Sequence, residues 1–206
     1  MNKVVSMIKS KRDLKYYLNC DRLSLGIDRK KPKIGFNRDL IWRFEILMRK
    51  CEYYKNCPSF LHKILFQLYR LKFHNLSIKL GLSIPINVFG PGLSIAHYGT
   101  IIVNSNAKVG KNCRLHAGSM IVATNGESDA PTLGDNVYVG SGSKIIGKIS
   151  IGNNVCIAAG AVVTKSFPDN ITIGGVPAKI ISKNNSLRML KKLLTESDEF
   201  KSEFKN

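Results

Sequence analysis

The sequence predicts a mainly β chain: a parallel β-helix of six-residue repeats, preceded by an α-helical region and followed by one more helix. Three observations carry this. Leu133, Val139, Ile145, Ile151, Ile157 and Val163 are spaced six apart, with Val103, Val109, Leu115 and Ile121 in the same phase upstream. Small or aliphatic residues stand two positions before these, at Ile101, Ala107, Cys113, Ser119, Val137, Ser143, Ile149, Val155 and Ala161. Helical spacing of apolar residues is confined to the two ends of the chain.

The first region, residues 1–80, reads as helical. LIWRFEILMRKCEYY places Leu40, Ile41, Phe44, Leu47 and Met48 near helical spacing. After Asn56, Cys57 and Pro58, a second helix is expected from the N-cap Ser59 through FLHKILFQLYRLKF. Trp42, Tyr53, Tyr54, Phe60 and Phe66 are expected to pack these helices together.

The second region, residues 81–182, is the repeat array. Two inward side chains per six residues suit a short strand and a turn, and three such units make one triangular coil whose apolar face the next coil covers. Gly110, Gly134, Gly140 and Gly152 follow core aliphatics, where a tight turn favours a residue without Cβ. The array is interrupted at ATNGESDAP, residues 123–131, and resumes in phase at Leu133, so this segment reads as a loop thrown out from one corner. Residues 171–181, ITIGGVPAKII, read as the closing coil. In the third region, residues 183–206, SLRMLKKLLTESDEF from Ser186 reads as an amphipathic helix that caps the open end of the solenoid.

With 206 residues, 44% of them hydrophobic, the chain supplies one sizeable core. The net charge of +18 is uneven: residues 1–80 carry +13 and residues 81–206 carry +5. Such a bias suits an anionic polymer, anionic lipid or a phosphorylated ligand. No nucleic-acid motif accompanies it. No run reaches a membrane span and the basic N-terminus lacks a secretion signal's apolar stretch, so a cytoplasmic location is expected, with association at the inner face of the membrane as an option. Five cysteines without a C-x-x-C pair suggest free thiols and no metal site.

The hexad array, GLSIAHYGTIIVN, VGSGSKIIGKISIGNN, IAAGAVVTKSFP and GGVPAKII together resemble the left-handed β-helix (hexapeptide-repeat) acyltransferases of the serine acetyltransferase-like branch, and within it the chain resembles polysaccharide O-acetyltransferases. The left hand comes from the resemblance alone. So do a homotrimer and acetyl-CoA as co-substrate in a cleft between subunits. Direct transfer without an acyl-enzyme is the expected chemistry, and no metal is expected, since His97 and His116 alone do not supply a three-histidine site.

His97 shares the six-residue phase of Val103, Val109 and Leu115, where an ionisable ring is costly unless hydrogen-bonded or employed at a cleft. The resemblance places it at the family's catalytic histidine, a general base for a hydroxyl acceptor. His116, just after Leu115, is a candidate for the acceptor pocket, with Glu127 and Asp129 of the loop as candidate partners. On the cofactor side the resemblance assigns Gly140, Ser141 and Ala159 to the pantetheine channel and Thr164, Lys165 and Lys179 to the nucleotide end.

The aspartate that serine acetyltransferases carry before the catalytic histidine is Ala96 here, and their loop histidine is Ala130. The acidic residue expected upstream is absent from LGLSIPIN, where Ser83 stands nearest. A sugar or surface-polysaccharide hydroxyl is therefore the expected acceptor. L-serine is the alternative, and a non-catalytic β-helix binding anionic polymer or membrane is the alternative of another class.

Overall fold

Three helices precede the coil: α1 (Lys11–Ser24), α2 (Leu40–Asn56) and α3 (Phe60–Leu80). Helix α1 starts because the Ser10 side chain accepts the Asp13 N–H, and α3 because Ser59 accepts from His62 N–H in the same way. Gly81, at φ 69°, ends α3 in the left-handed conformation that glycine adopts without a Cβ penalty. The computed structural model describes residues 7–33, 38–124 and 129–190.

From Leu82 the chain winds through three parallel sheets. The five-stranded face stacks Leu82–Ser83, Ile101–Val103, Met120–Val122, Lys144–Ile146 and Val162–Val163. The three-stranded face stacks Lys108–Val109, Thr132–Leu133 and Ser150–Ile151. The six-stranded face stacks Ser94–Ile95, Arg114–Leu115, Tyr138–Val139, Cys156–Ile157 and Thr172–Gly174, closed by Lys179–Ser182. All ten aliphatics of the six-residue phase from Val103 onward are buried, and so are the nine residues two positions before them. Phe44 and Met48 of α2 belong to the same continuous core.

The corner from the three- to the six-stranded face explains the recurrent asparagines. Asn112, Asn136, Asn154 and Asn170 have φ between 55° and 61°. Asn tolerates this left-handed region because its short amide bonds locally. Their amides form a column, Asn112 donating to Asn136 at 2.9 Å, Asn136 to Asn154 and Asn154 to Asn170, each at 2.8 Å.

Several expectations need correction. Gly110, Gly134, Gly140 and Gly152 do require a residue without Cβ, but the reason is coil packing rather than a tight turn: the next coil passes too close for a side chain, and a Cβ on Gly140 would sit 2.6 Å from the Ala159 nitrogen. The segment 171–181 is not a full coil, since Thr172–Gly174 stacks in parallel on Cys156–Ile157 and the chain then reverses into the antiparallel Lys179–Ser182. At the C-terminus, Ser186–Arg188 is one short 3-10 turn held against the asparagine corner, where Ser186 N–H donates to Asn154 O and its hydroxyl to Asn136 O; residues 191–200 of the expected helix lie outside the described residues. Phe60 is 84% exposed and packs nothing together; Trp42 and Tyr53 are buried as expected.

The helices are fixed to the first coil by a buried ionic cluster. Arg49 of α2 donates to Asp21 of α1 at 2.7 Å, to Glu52 at 3.0 Å, and to the Phe89 and Gly90 carbonyls at 2.9 and 2.8 Å. Asp21 in turn accepts from Gly92 and Leu93 N–H, Glu52 from Asn87 N–H and Glu45 from Ile95 N–H. Burial opposes the charge on Arg49, but Asp21 and Glu52 outweigh it and hold the guanidinium protonated.

Removing Arg49 leaves two buried carboxylates uncompensated. Arg49→Ala is expected to lose about 3–5 kcal/mol of unfolding free energy, measured by urea denaturation. Glu45 behaves oppositely: burial first, and then the Asp21 charge, push its pKa well above the ordinary carboxylate value, and its Oε2 has no partner among the described residues. A raised pKa means stability that is present below the unfolded value and lost as pH rises toward the folded one. Glu45→Gln keeps an acceptor for Ile95 N–H without that loss. It is expected to melt at least as high as the wild type at pH 7, the difference closing as pH falls to the ordinary glutamate pKa.

Candidate active site

The strand Ser94–Ile95 pairs with Arg114–Leu115, so Ile95 rather than His97 fills the core position above Leu115. The following corner holds six steps from Ile95 to Ile101 against four from Leu115 to Ser119 in the coil below. The two additional residues push His97 and Tyr98 out of the stack, and both are exposed. The six-residue phase had placed His97 inside the prism; the longer corner turns it outward instead.

His116 occupies the same corner one coil below, with its ring 6.0 Å from that of His97 and 5.0 Å from that of Tyr138. Burial foremost, and then the Arg114 charge, lower the His116 pKa, which keeps the ring neutral near pH 7. Its Nε2 is buried and without a hydrogen-bond partner among the described residues. Arg114 donates to Ser94 Oγ at 2.8 Å. Arg114 and Tyr138 were missed in the sequence; the available signal was their place just before a core aliphatic, which points them outward from the six-stranded face.

Below His116 the corner is built of small residues. Gly140, Ser141 and Ala159 all lie on it, joined coil to coil by Gly142 N–H to Ala117 O at 3.0 Å and Gly160 N–H to Ser141 O at 2.8 Å. Gly140 is buried, whereas Ser141 and Ala159 are exposed and leave a strip of accessible backbone. At about 4.8 Å per coil, His97 stands roughly 14 Å above Ala159. Lys179 is exposed near the lower end of this corner, opposite Gly174 in the closing hairpin.

The remaining candidates lie elsewhere. Thr164 and Lys165 follow Val163 past the other edge of the five-stranded face, with the Lys165 ammonium 5.6 Å from the Phe167 ring. Residues 123 and 124 leave from that same edge. Asp129 pairs with Lys148 at 2.8 Å, so within one chain it does not reach His97. Glu127 lies outside the described residues. Among the described residues no cluster of three His, Cys, Asp or Glu side chains could hold a metal ion.

Residues 130–165 match the family model for the bacterial transferase hexapeptide, described as six repeats. These repeats are of the bacterial transferase hexapeptide type. The serine acetyltransferase of Synechococcus elongatus is 37% identical over 97 residues, covering 46% of this chain and 40% of that protein. That of Staphylococcus epidermidis is 33% identical over 132 residues, covering 63% of this chain and 59% of that protein. The chain thus spans between 40% and 59% of the length of these relatives. A crystal structure of the Brucella abortus serine acetyltransferase in complex with coenzyme A superposes with a TM-score of 0.63 at 24% identity, covering 85% of this chain and 70% of that one. The solenoid is accordingly a left-handed β-helix.

The His116 Nε2 is closed off from solvent and unpartnered among the described residues, while the neighbouring His97 ring is exposed. His116→Ala removes the ring that packs between His97 and Tyr138 and is expected to lower the unfolding free energy by about 0.5–3 kcal/mol, measured by urea denaturation.

Proposed function

We propose that the protein is an acetyl-CoA-dependent O-acetyltransferase with His97 as general base. The observation that carries this reading is the exposed His97 ring beside the neutral His116, at the head of a corner strip made of Gly140, Ser141 and Ala159. Small residues there leave backbone open to an extended amide-bearing arm such as pantetheine, and the coenzyme A complex of the similar Brucella enzyme supports that ligand. Lys179 supplies a cation at the lower end of the strip for phosphate.

In this mechanism the acceptor hydroxyl gives its proton to the neutral His97 imidazole as its oxygen attacks the thioester carbonyl. The tetrahedral oxyanion collapses, the carbon–sulfur bond breaks, and the coenzyme A thiolate takes the proton back from the imidazolium. Thr164, Lys165 and the loop lie at the other edge of the five-stranded face, which fits a site completed by that edge of a neighbouring copy, as in a homotrimer.

L-serine is the first acceptor to test, because the Synechococcus elongatus and Staphylococcus epidermidis relatives carry the name serine acetyltransferase. A sugar hydroxyl is the second reading. Ala96 and Ala130 stand where the resemblance expects an aspartate and a histidine, and neither can contact an amino-acid acceptor through a charge.

Release of coenzyme A thiol from acetyl-CoA is measured with L-serine and with a panel of nucleotide sugars and oligosaccharides. Turnover with one of them is expected to fall about 10²- to 10⁴-fold in His97→Ala, with the melting shift on coenzyme A retained. Absence of both turnover and any melting shift overturns the assignment.

A further inference from the structure

Helix α3 presents its packed face to α2, where Phe73 lies 5.0 Å from Phe44 and Tyr69 stacks on Tyr54 at 5.3 Å. Its other face is apolar and uncovered. Phe60, Leu61, Ile64, Leu68, Leu71 and Ile78 are all exposed, Leu71 at 62% and Ile78 at 69%. At 3.6 residues per turn they fall within an arc of about 100°, a stripe that is unbroken from Phe60 to Leu71 and is interrupted by exposed Asn75 before Ile78. Beyond Ile78 the apolar surface continues into a groove of about 590 Å³ lined by Phe73, Leu82, Ile84, Pro85 and Ile102.

Charge decides what covers this stripe. Exposed Lys72 and Lys79 flank it on one side, exposed Lys63, Arg70 and His74 on the other, and α3 contains no Asp or Glu. Two copies of α3 laid stripe to stripe would bring cations against cations on both rims, which disfavours self-pairing. An apolar strip edged by cations on both sides matches the boundary of an anionic bilayer, where acyl chains take the apolar residues and lipid phosphates meet lysine and arginine heads carried on long stems. No helix among the described residues is long and apolar enough to cross a membrane, so this geometry lies on the surface rather than through it.

We infer that α3 is a membrane-surface helix that docks the protein on anionic phospholipid through Phe60, Leu61, Ile64, Leu68, Leu71 and Ile78, with Lys63, Arg70 and Lys72 on the headgroups. The inference is independent of the acetyl-transfer assignment.

Co-sedimentation of the full chain is compared for vesicles of phosphatidylcholine alone and of phosphatidylcholine mixed with phosphatidylglycerol. Binding is expected to the mixed vesicles only, and to weaken with salt. The double variant Lys63→Glu/Lys72→Glu is expected to lower the partition coefficient at least roughly 20-fold. Leu68→Ser/Leu71→Ser should abolish sedimentation with charge unchanged, while melting temperature and assembly mass stay those of the wild type. Wild-type protein left in the supernatant overturns the inference. So does undiminished binding of Leu68→Ser/Leu71→Ser, which assigns the attraction to basic charge elsewhere. A fall in assembly mass in that variant overturns it as well, because the stripe is then an interface between copies.

Discussion

The first coil of a parallel solenoid has no coil above it, and everything below inherits its position. Every other N–H of its strands points upward and would be a buried donor without a partner. In this protein carboxylates from the helices take the place of the missing coil. Asp21 accepts from Gly92 and Leu93, Glu45 from Ile95, and Glu52 from Asn87. Arg49 binds Asp21 and Glu52 together and occupies two carbonyls of the same coil. The helical region is therefore the lid of the prism, and Ile95, two residues before His97, hangs from it directly.

The lid was not legible in the sequence, for a physical reason. Arg49, Asp21 and Glu45 look like ordinary polar residues of helices rich in charge, and their partners are brought near only by the fold. The prism itself was legible almost residue by residue, because its constraint is periodic: a side chain that points inward must recur where the next face begins. Periodicity also misled. His97 is six residues before Val103, but a corner with two additional residues keeps the spacing while moving the phase, so Ile95 enters the core and His97 leaves it. Phe60 was misplaced because an exposed aromatic has the same spacing as a packed one, and only the docked partner helix distinguishes the two faces.

The candidate site was half visible for a related reason. His97, His116, Gly140, Ser141 and Ala159 share one corner, and their order along the chain is their order down the stack. Thr164, Lys165 and Asp129 belong to a different corner, so no reading of one chain joins them to His97. The outward row of Arg114 and Tyr138 is set by alternation alone, a signal that any strand carries and that does not separate a pocket wall from ordinary surface.

The asparagine column on the third corner runs from Asn112 to Asn170 with amide contacts of 2.8 or 2.9 Å at every step. It makes the pitch of that edge a matter of hydrogen-bond length, so the prism behaves as a ruler with fixed graduations. Extra chain cannot be absorbed by sliding one turn over the next. It must go sideways, and the count resumes at Leu133, which pairs with Val109. Length can vary at the rim of such a ruler, while the vertical distance from an imidazole at the top to a cation at the bottom cannot.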